Sequence, residues 1–289
     1  MSAVFLIIKI TAKMLAQRWY TFRRSHGILF VLSWGLMLLW LVPLIWIVAI
    51  SFRPPEISLG RGSSLFAGTL SWANYARAWR ILAPSYANTL IMAFGTLAVQ
   101  LVTITLAGYA FARLRFPGQR CLFIILLIQI MIPITALIIP NFFIIRKLGL
   151  YDTVLAVMVP YFGSAFGVFL MRQTFRGVPI ELEEAARIDG ANLLQILVYI
   201  YIPSGIPGLL AFSFASIIYR WNDFLLPLLV TADKAAPLSV RLSILAASEG
   251  GIQWPQLAAA TVLVISPLVV LFAILQKQFV RGFSYSGLK

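Results

Sequence analysis

Long apolar runs without charge, separated by one or a few basic residues, dominate the chain. About twenty such residues cross the hydrocarbon of a bilayer as a helix, whereas a surface helix of a soluble domain keeps a polar face. Cutting the chain at its charges predicts six spans. The first runs from Ile28 to Phe52, ahead of Arg53, and the second from Asn88 to Ala112, with Pro84 and Ser85 as its lead-in. The third lies between Arg120 and Arg146, where CLFIILLIQIMIPITALIIPNFFII is interrupted by Pro133 and Pro140. The fourth runs from Thr153 to Met171. The fifth falls within the uncharged run 190–219 and starts near Ile200, and the sixth runs from about Pro255 to Gln276. An even number of spans puts both termini on one side.

Composition agrees, with 61% hydrophobic and 11% charged residues where soluble domains have about half and about a quarter. Charge then orients the chain, because Lys and Arg are retained in the cytoplasm. With the termini inside, fourteen of the 23 Lys and Arg are cytoplasmic and nine external. The net charge of +14 thus reads as topology together with attraction to anionic membrane lipid. The basic residues are scattered between spans and form no stripe, which argues against nucleic acid as a partner. In residues 1–27 the apolar FLII precedes the basic residues, the reverse of a signal peptide. Phe5, Ile8, Ala12, Leu15 and Trp19 share one side of a helix and Lys9, Lys13 and Gln17 the other, which suits an interfacial helix; a disordered basic tail is the alternative.

Signatures of catalysis are scarce. Cys121 is the only cysteine and His26, just ahead of the first span, the only histidine. No phosphate-binding loop, nucleophile elbow or HExxH occurs, so no catalytic, metal or cofactor-binding residue is assigned and the chain is not expected to hydrolyse ATP.

The acidic residues are unevenly placed. Of nine Asp and Glu, four fall in the stretch ELEEAARIDG, as Glu181, Glu183, Glu184 and Asp189. Pro179 suits a first helical turn, the glutamates suit the positive end of the helix dipole, and Glu183 and Arg187 form an i, i+4 pair. Leu182, Ala185, Ala186 and Asp189 give a face of small side chains, and Gly190 can close the helix in a left-handed conformation. LLQILVYI resumes a helical pattern towards Pro203. Two readings follow: a docking helix held outside the bilayer, or an exposed loop charged for solubility.

Glu184-Ala185-Ala186, three residues, Gly190, nine residues, then Ile200-x-Ile202-Pro203 resembles the EAA loop of ABC importer permeases, with Ile202 where that family has leucine. SWANYARAW, GYAFARLRFPG, MIP, WNDFLLPLLV and QKQFVRG resemble the sugar-importer branch, related to the smaller membrane subunit of the maltose transporter, and these matches span residues 70 to 282. The resemblance implies an all-α integral membrane fold of the type I ABC importer class, with six transmembrane helices and cytoplasmic termini. It also implies the partners: ATPase subunits that bind ATP, a second homologous permease, and an external solute-binding protein that delivers a sugar-type substrate. Coupling to the ATPase would pass through Glu183, Glu184, Ala185, Ala186, Asp189, Gly190 and Ala191, in a cytoplasmic loop at 172–203. The expected organisation is a basic segment at 1–27, a first span at 28–52, an external loop at 53–84, a permease core at 85–280 and a cytoplasmic tail at 281–289. Residues 53–84 and 233–254 are the long external segments that the solute-binding protein would meet.

Polar residues inside spans usually face the bundle interior. Gln100, Gln129 and Asn141 lie within apolar runs, and Tyr219, Trp221, Asn222 and Asp223 stand at the outer end of the fifth span, so these are the candidates for a substrate path. Amides and carboxylates suit sugar hydroxyls and aromatic faces suit ring carbons; Asn222 and Asp223 equally suit folding or subunit contact. FLLPLLV is too short to cross and fits a re-entrant or interfacial piece. The prolines at 133, 140, 203 and 207 read as kinks or as flexible points. Two other classes stay open. An ATP-independent secondary transporter or channel calls for ionisable residues buried in the spans, which contain almost none, and an integral membrane lipid-modifying enzyme calls for a His/Asp or metal constellation.

Overall fold

A computed structural model of the chain describes residues 29–54, 70–247 and 253–284, with side chains as far as Ile274. The readings of residues 1–27, of 55–69 within the 53–84 segment, of 248–252 within the 233–254 segment and of the terminal residues 285–289 lie outside the described residues. Every described element is helical, as hydrocarbon requires, since lipid offers no partner to backbone N–H and C=O groups.

Helix α1 covers Leu29–Ser51 and α2 covers Ala73–Arg113, with a π-helical turn at Ile91–Gly95. The helices α3 (Gln119–Met131), α4 (Ile138–Lys147), α5 (Val154–Met158) and α6 (Ala165–Arg176) follow. A short α7 (Ile180–Ile188) leads to α8 (Leu193–Trp221), then come α9 (Leu225–Val230), α10 (Leu238–Ala246) and α11 (Trp254–Ser284). Helices α1, α2, α8 and α11 are each long and apolar enough to span a membrane, and two bent pairs bring the total to six if each pair is one span.

Several boundaries depart from the charge-based reading. Helix α2 starts at Ala73, and Pro84 lies inside it rather than leading in. Arg77 and Arg80 made this segment look like a loop, but Tyr75, Ala78 and Leu82 recur along one face and pack against α11, so the helix is amphipathic where it approaches the apolar layer. The third run is not one rod: α3 and the segment Ile134–Lys147 meet at 99°. Pro133 causes the break by pushing Ile132 into an extended conformation, whereas Pro140 sits harmlessly in the first turn of α4. The fourth run bends by 44° between Tyr161 and Ala165 and continues past Met171 to Arg176. Helix α8 starts at Leu193 instead of near Ile200, because Asn192 and Gln195 form a capping box there, with side chain and backbone bonded reciprocally at 2.9 and 2.8 Å. A π-helical turn at Leu197–Tyr201 then accommodates Pro203 without ending the helix.

Packing follows from small residues. A Cβ on Gly108 would sit 2.6 Å from the Cβ of Met171, so α2 and α6 approach almost backbone to backbone. Around this contact Ile104, Tyr109, Val168, Met171, Phe175, Tyr201 and Phe212 form one buried cluster. A second joins Leu82 of α2, Trp221 of α8, Leu238 of α10 and Ala260 of α11. Helix α9 buries Leu226 and Val230 against Met92, Ile145 and Val157. Helix α1 instead exposes almost its whole length and is secured at its end, where Asn74 donates to the carbonyls of Ser51 and Arg53 at 3.1 and 2.6 Å.

Because Met171 Cβ and the Arg172 backbone cannot swing aside, Gly108→Ala should overpack the α2–α6 contact and cost about 1–3 kcal/mol. A lower thermal midpoint in detergent, with unchanged helix content at low temperature, is the expected outcome; an unchanged midpoint would refute the tight contact.

Candidate functional site

Helix α7 is nine residues long, too short to cross a membrane, and lies between α6 and α8. Pro179 stands at its N-cap with extended backbone, one position before the first turn. Its C-terminus closes in a Schellman motif. Gly190 adopts φ +83°, its amide donates to the Arg187 carbonyl at 3.1 Å, and the Ala191 amide donates to the Ala186 carbonyl at 2.9 Å.

The four acidic residues do not act alike. Glu183 points inward and is 2% exposed. One carboxylate oxygen accepts from Arg187 Nη2 at 2.6 Å and the other from Tyr201 Oη at 2.5 Å. Tyr201 is itself fully buried, with the rings of Tyr109 and Phe175 at 5.0 and 5.5 Å and the Arg113 guanidinium 5.3 Å from its centroid. Arg113 also donates to the carbonyls of Phe175 and Val178, closing the end of α6. Glu181, Glu184, Ala185 and Ile188 share the opposite, exposed face of α7, where Ile188 is 86% exposed. The small face anticipated at Leu182, Ala185, Ala186 and Asp189 is divided: Ala186 and Ala191 pack on the chain's own core, while Leu182, Ala185 and Asp189 are exposed.

The polar positions proposed for a substrate path also separate. Gln100 is buried, donating to the Tyr161 carbonyl at 2.7 Å and accepting from Ser216 Oγ at 2.5 Å. Trp221 is buried and donates to the Val264 carbonyl at 3.1 Å, tying α8 to α11. Gln129 is exposed on α3 and Asn141 half-buried on α4. Tyr219 is exposed, and Asn222, also exposed, donates to the Ile218 carbonyl at 2.8 Å. Asp223 pairs with Arg220 at 2.9 Å, and the Arg220 guanidinium lies 3.5 Å from the Tyr161 ring centroid. A groove of about 450 Å³ between α2 and α8 is lined by Leu101, Leu106, Val198 and Ile202, with Thr105 and Ser213 as its polar groups, and offers little to a hydroxylated solute.

A further group escaped the sequence reading because its partners are distant in the chain. Asp152, at φ +56°, accepts from the amides of Ala232 and Ala235 at 2.8 and 3.0 Å. Asn88 donates to the Lys234 carbonyl at 3.0 Å, and Thr89 accepts from the Leu238 amide at 2.9 Å. Together they fix the 231–238 segment at the end of the bundle away from α7. Partial burial works against the Asp152 charge, but the bonds from Ala232, Ala235 and Lys234 outweigh it and hold the carboxyl below the usual carboxylate range.

Residues 100–285 match the family described as binding-protein-dependent transport system inner membrane component. The chain is 32% identical over 257 residues to the trehalose transport system permease protein SugB of Mycobacterium tuberculosis, covering 86% of this chain and 92% of that one. To the sn-glycerol-3-phosphate transport system permease protein UgpE of Yersinia pestis it is 32% identical over 229 residues, covering 76% and 82%. A crystal structure of a bacterial ABC transporter involved in the import of the acidic polysaccharide alginate superposes with a TM-score of 0.78 at 28% identity, over 89% of this chain and 97% of that one.

Space around Gly190 is open, so only its left-handed backbone restricts substitution. Gly190→Val should cost about 1–2 kcal/mol and speed amide hydrogen exchange across 180–191, while Gly190→Asn should cost less; equal effects would contradict the motif. Asp152 has its folded pKa depressed, so its stabilisation is present above about pH 3.9, the unfolded value, and is lost as pH falls through the lower folded value. The stability gap between wild type and Asp152→Ala, followed by acid denaturation, should therefore be full at neutral pH and close in strong acid; a gap that persists there would rule out the ionised clamp.

Proposed function

We propose, from the premise that the chain belongs to the family of binding-protein-dependent transport system inner membrane components, that its α7 receives the motion of an ATPase and that its cargo is a sugar or sugar derivative. The chain is a multi-pass membrane permease of an ATP-driven importer, with the type I ABC permease fold. In our reading ATP is bound and hydrolysed by partner subunits, a second homologous permease completes the path, and an external solute-binding protein delivers the cargo.

The observation that carries the coupling role is the division of α7 into an anchored and a free face. Burial of Glu183 turns Glu181, Glu184, Ala185 and Ile188 away from the bundle, an apolar side chain among carboxylates on a helix held clear of the spans. Arg113 and Arg172 lie at the same end, Arg172 donating to the Phe111 carbonyl at 3.1 Å, and Arg115, Arg120 and Arg176 flank the same helix ends in sequence. That concentration of positive charge supports a cytoplasmic position for α7, and hence external positions for Asp152 and the 231–238 segment. The exposed flank of α1 suits lipid or the second permease. The carbohydrate reading rests on the trehalose, glycerol-phosphate and alginate systems of the relatives.

Replacing the most exposed apolar residue of α7 tests this directly. Ile188→Glu should weaken ATPase binding by about 2 kcal/mol, some thirtyfold, as loss of a central interface residue does. The ATPase should be depleted from complexes purified out of native membranes while the second permease remains. Retention of the ATPase at the wild-type level would remove α7 as the docking element.

A further inference from the structure

A docking helix transmits force only if it cannot pivot on its own support. Helix α7 is joined to α8 by the four residues Asp189–Asn192, which alone would permit rotation. Glu183 removes that freedom, because its buried carboxylate bridges Arg187 on its own helix and Tyr201 on α8. Turning α7 away would keep the Arg187 pair but break the bond from Tyr201, leaving a fully buried hydroxyl on α8 without its acceptor, an unfavourable state. Tyr201 closes the π-helical turn of α8, a feature frequent at functional sites. Its ring meets Tyr109 of α2 and Phe175 of α6, with Arg113 over it. One turn on, a Cβ at Gly205 would come within 2.7 Å of Phe175, so α8 and α6 are also in close contact there. From Tyr201 the helix runs unbroken to Ser216 and Trp221, which bond to Gln100 of α2 and to the Val264 carbonyl of α11.

We propose that Glu183 and Tyr201 are positioning residues for coupling: their hydrogen bond makes α7 a rigid extension of α8, so displacement of the acidic helix reaches the opposite end of the bundle along α8. This deepens the reading of α7 as the ATPase contact and rests on it. Glu183 touches no partner in this scheme. The exposed face docks and the buried carboxylate transmits.

The test is Tyr201→Phe, which keeps the ring packing and removes the hydroxyl, beside Glu183→Leu, which removes the acceptor, and the double variant. Each is made in the full transporter, with both permeases, the ATPase and the solute-binding protein reconstituted in liposomes. The readout is solute moved per ATP hydrolysed, which a loss of stability alone would not change. It should fall about five- to tenfold in Tyr201→Phe, the scale of one lost hydrogen bond, with the ATPase still in the complex. The double variant should be no worse than the more impaired single variant, because both remove the same bond. An unchanged ratio in Tyr201→Phe, or additive losses in the double variant, would overturn the proposal. Loss of the ATPase from the Tyr201→Phe complex would do so too, by making the bond a requirement for docking. If the wild-type chain itself brings no ATPase from the membrane, the underlying reading of α7 fails instead, and the two failures are distinguishable.

Discussion

Hydrocarbon provides no hydrogen-bond partner, and the protein's polar side chains are placed where the backbone breaks its own helices. The bend between α5 and α6 frees the carbonyls of Tyr161 and Phe162, and these are met by Gln100 and Thr103 of α2 at 2.7 and 2.9 Å. The end of α6 leaves the Phe175 and Val178 carbonyls to Arg113, and the return after α9 is held by Asp152, Asn88 and Thr89. Gln100, Thr103 and Arg113 thus each repair an interruption in a neighbouring element. The bend at 162–164 is therefore a fixed feature rather than a loose joint.

Close helix approach makes this repair geometrically possible. Without a hydrophobic drive between helices in lipid, association relies on packing, and small residues let backbones meet. Gly108 admits Met171, Gly167 admits Ile104 and Phe212, and Gly205 admits Phe175, bringing α2, α6 and α8 together around one cluster. Short polar reaches such as Gln100 to Ser216 become available only at that spacing.

The acidic helix shows the same economy at the bundle's edge. One carboxylate of the four is spent inward to fasten α7, and Glu181 and Glu184 are thereby fixed outward beside Ile188. The helix is stiff because both its ends are closed by geometry, Pro179 before it and a left-handed Gly190 after it. In the proposed coupling, force arriving at α7 would pass to α8 and α6 through these contacts.

Local chemistry was legible in the sequence: the all-helical membrane class, the Glu183–Arg187 pair and the Gly190 terminus depend only on residues a few positions apart. Charge-based boundaries went astray where a helix was amphipathic, as at Ala73–Pro84, or where a proline turned one apolar run into two segments at 99°. The roles of Gln100 and Trp221 were not legible, because a polar residue in a span satisfies either a solute or a distant carbonyl, and only the fold reveals the carbonyl. Asp152 and the Ala232 amide it accepts from are eighty residues apart, and Tyr201 lies eighteen beyond Glu183. Composition and short-range spacing thus determined what kind of elements the chain forms. Tertiary structure decided which face of each is free, because burial and long-range hydrogen bonds exist only once separate helices have met.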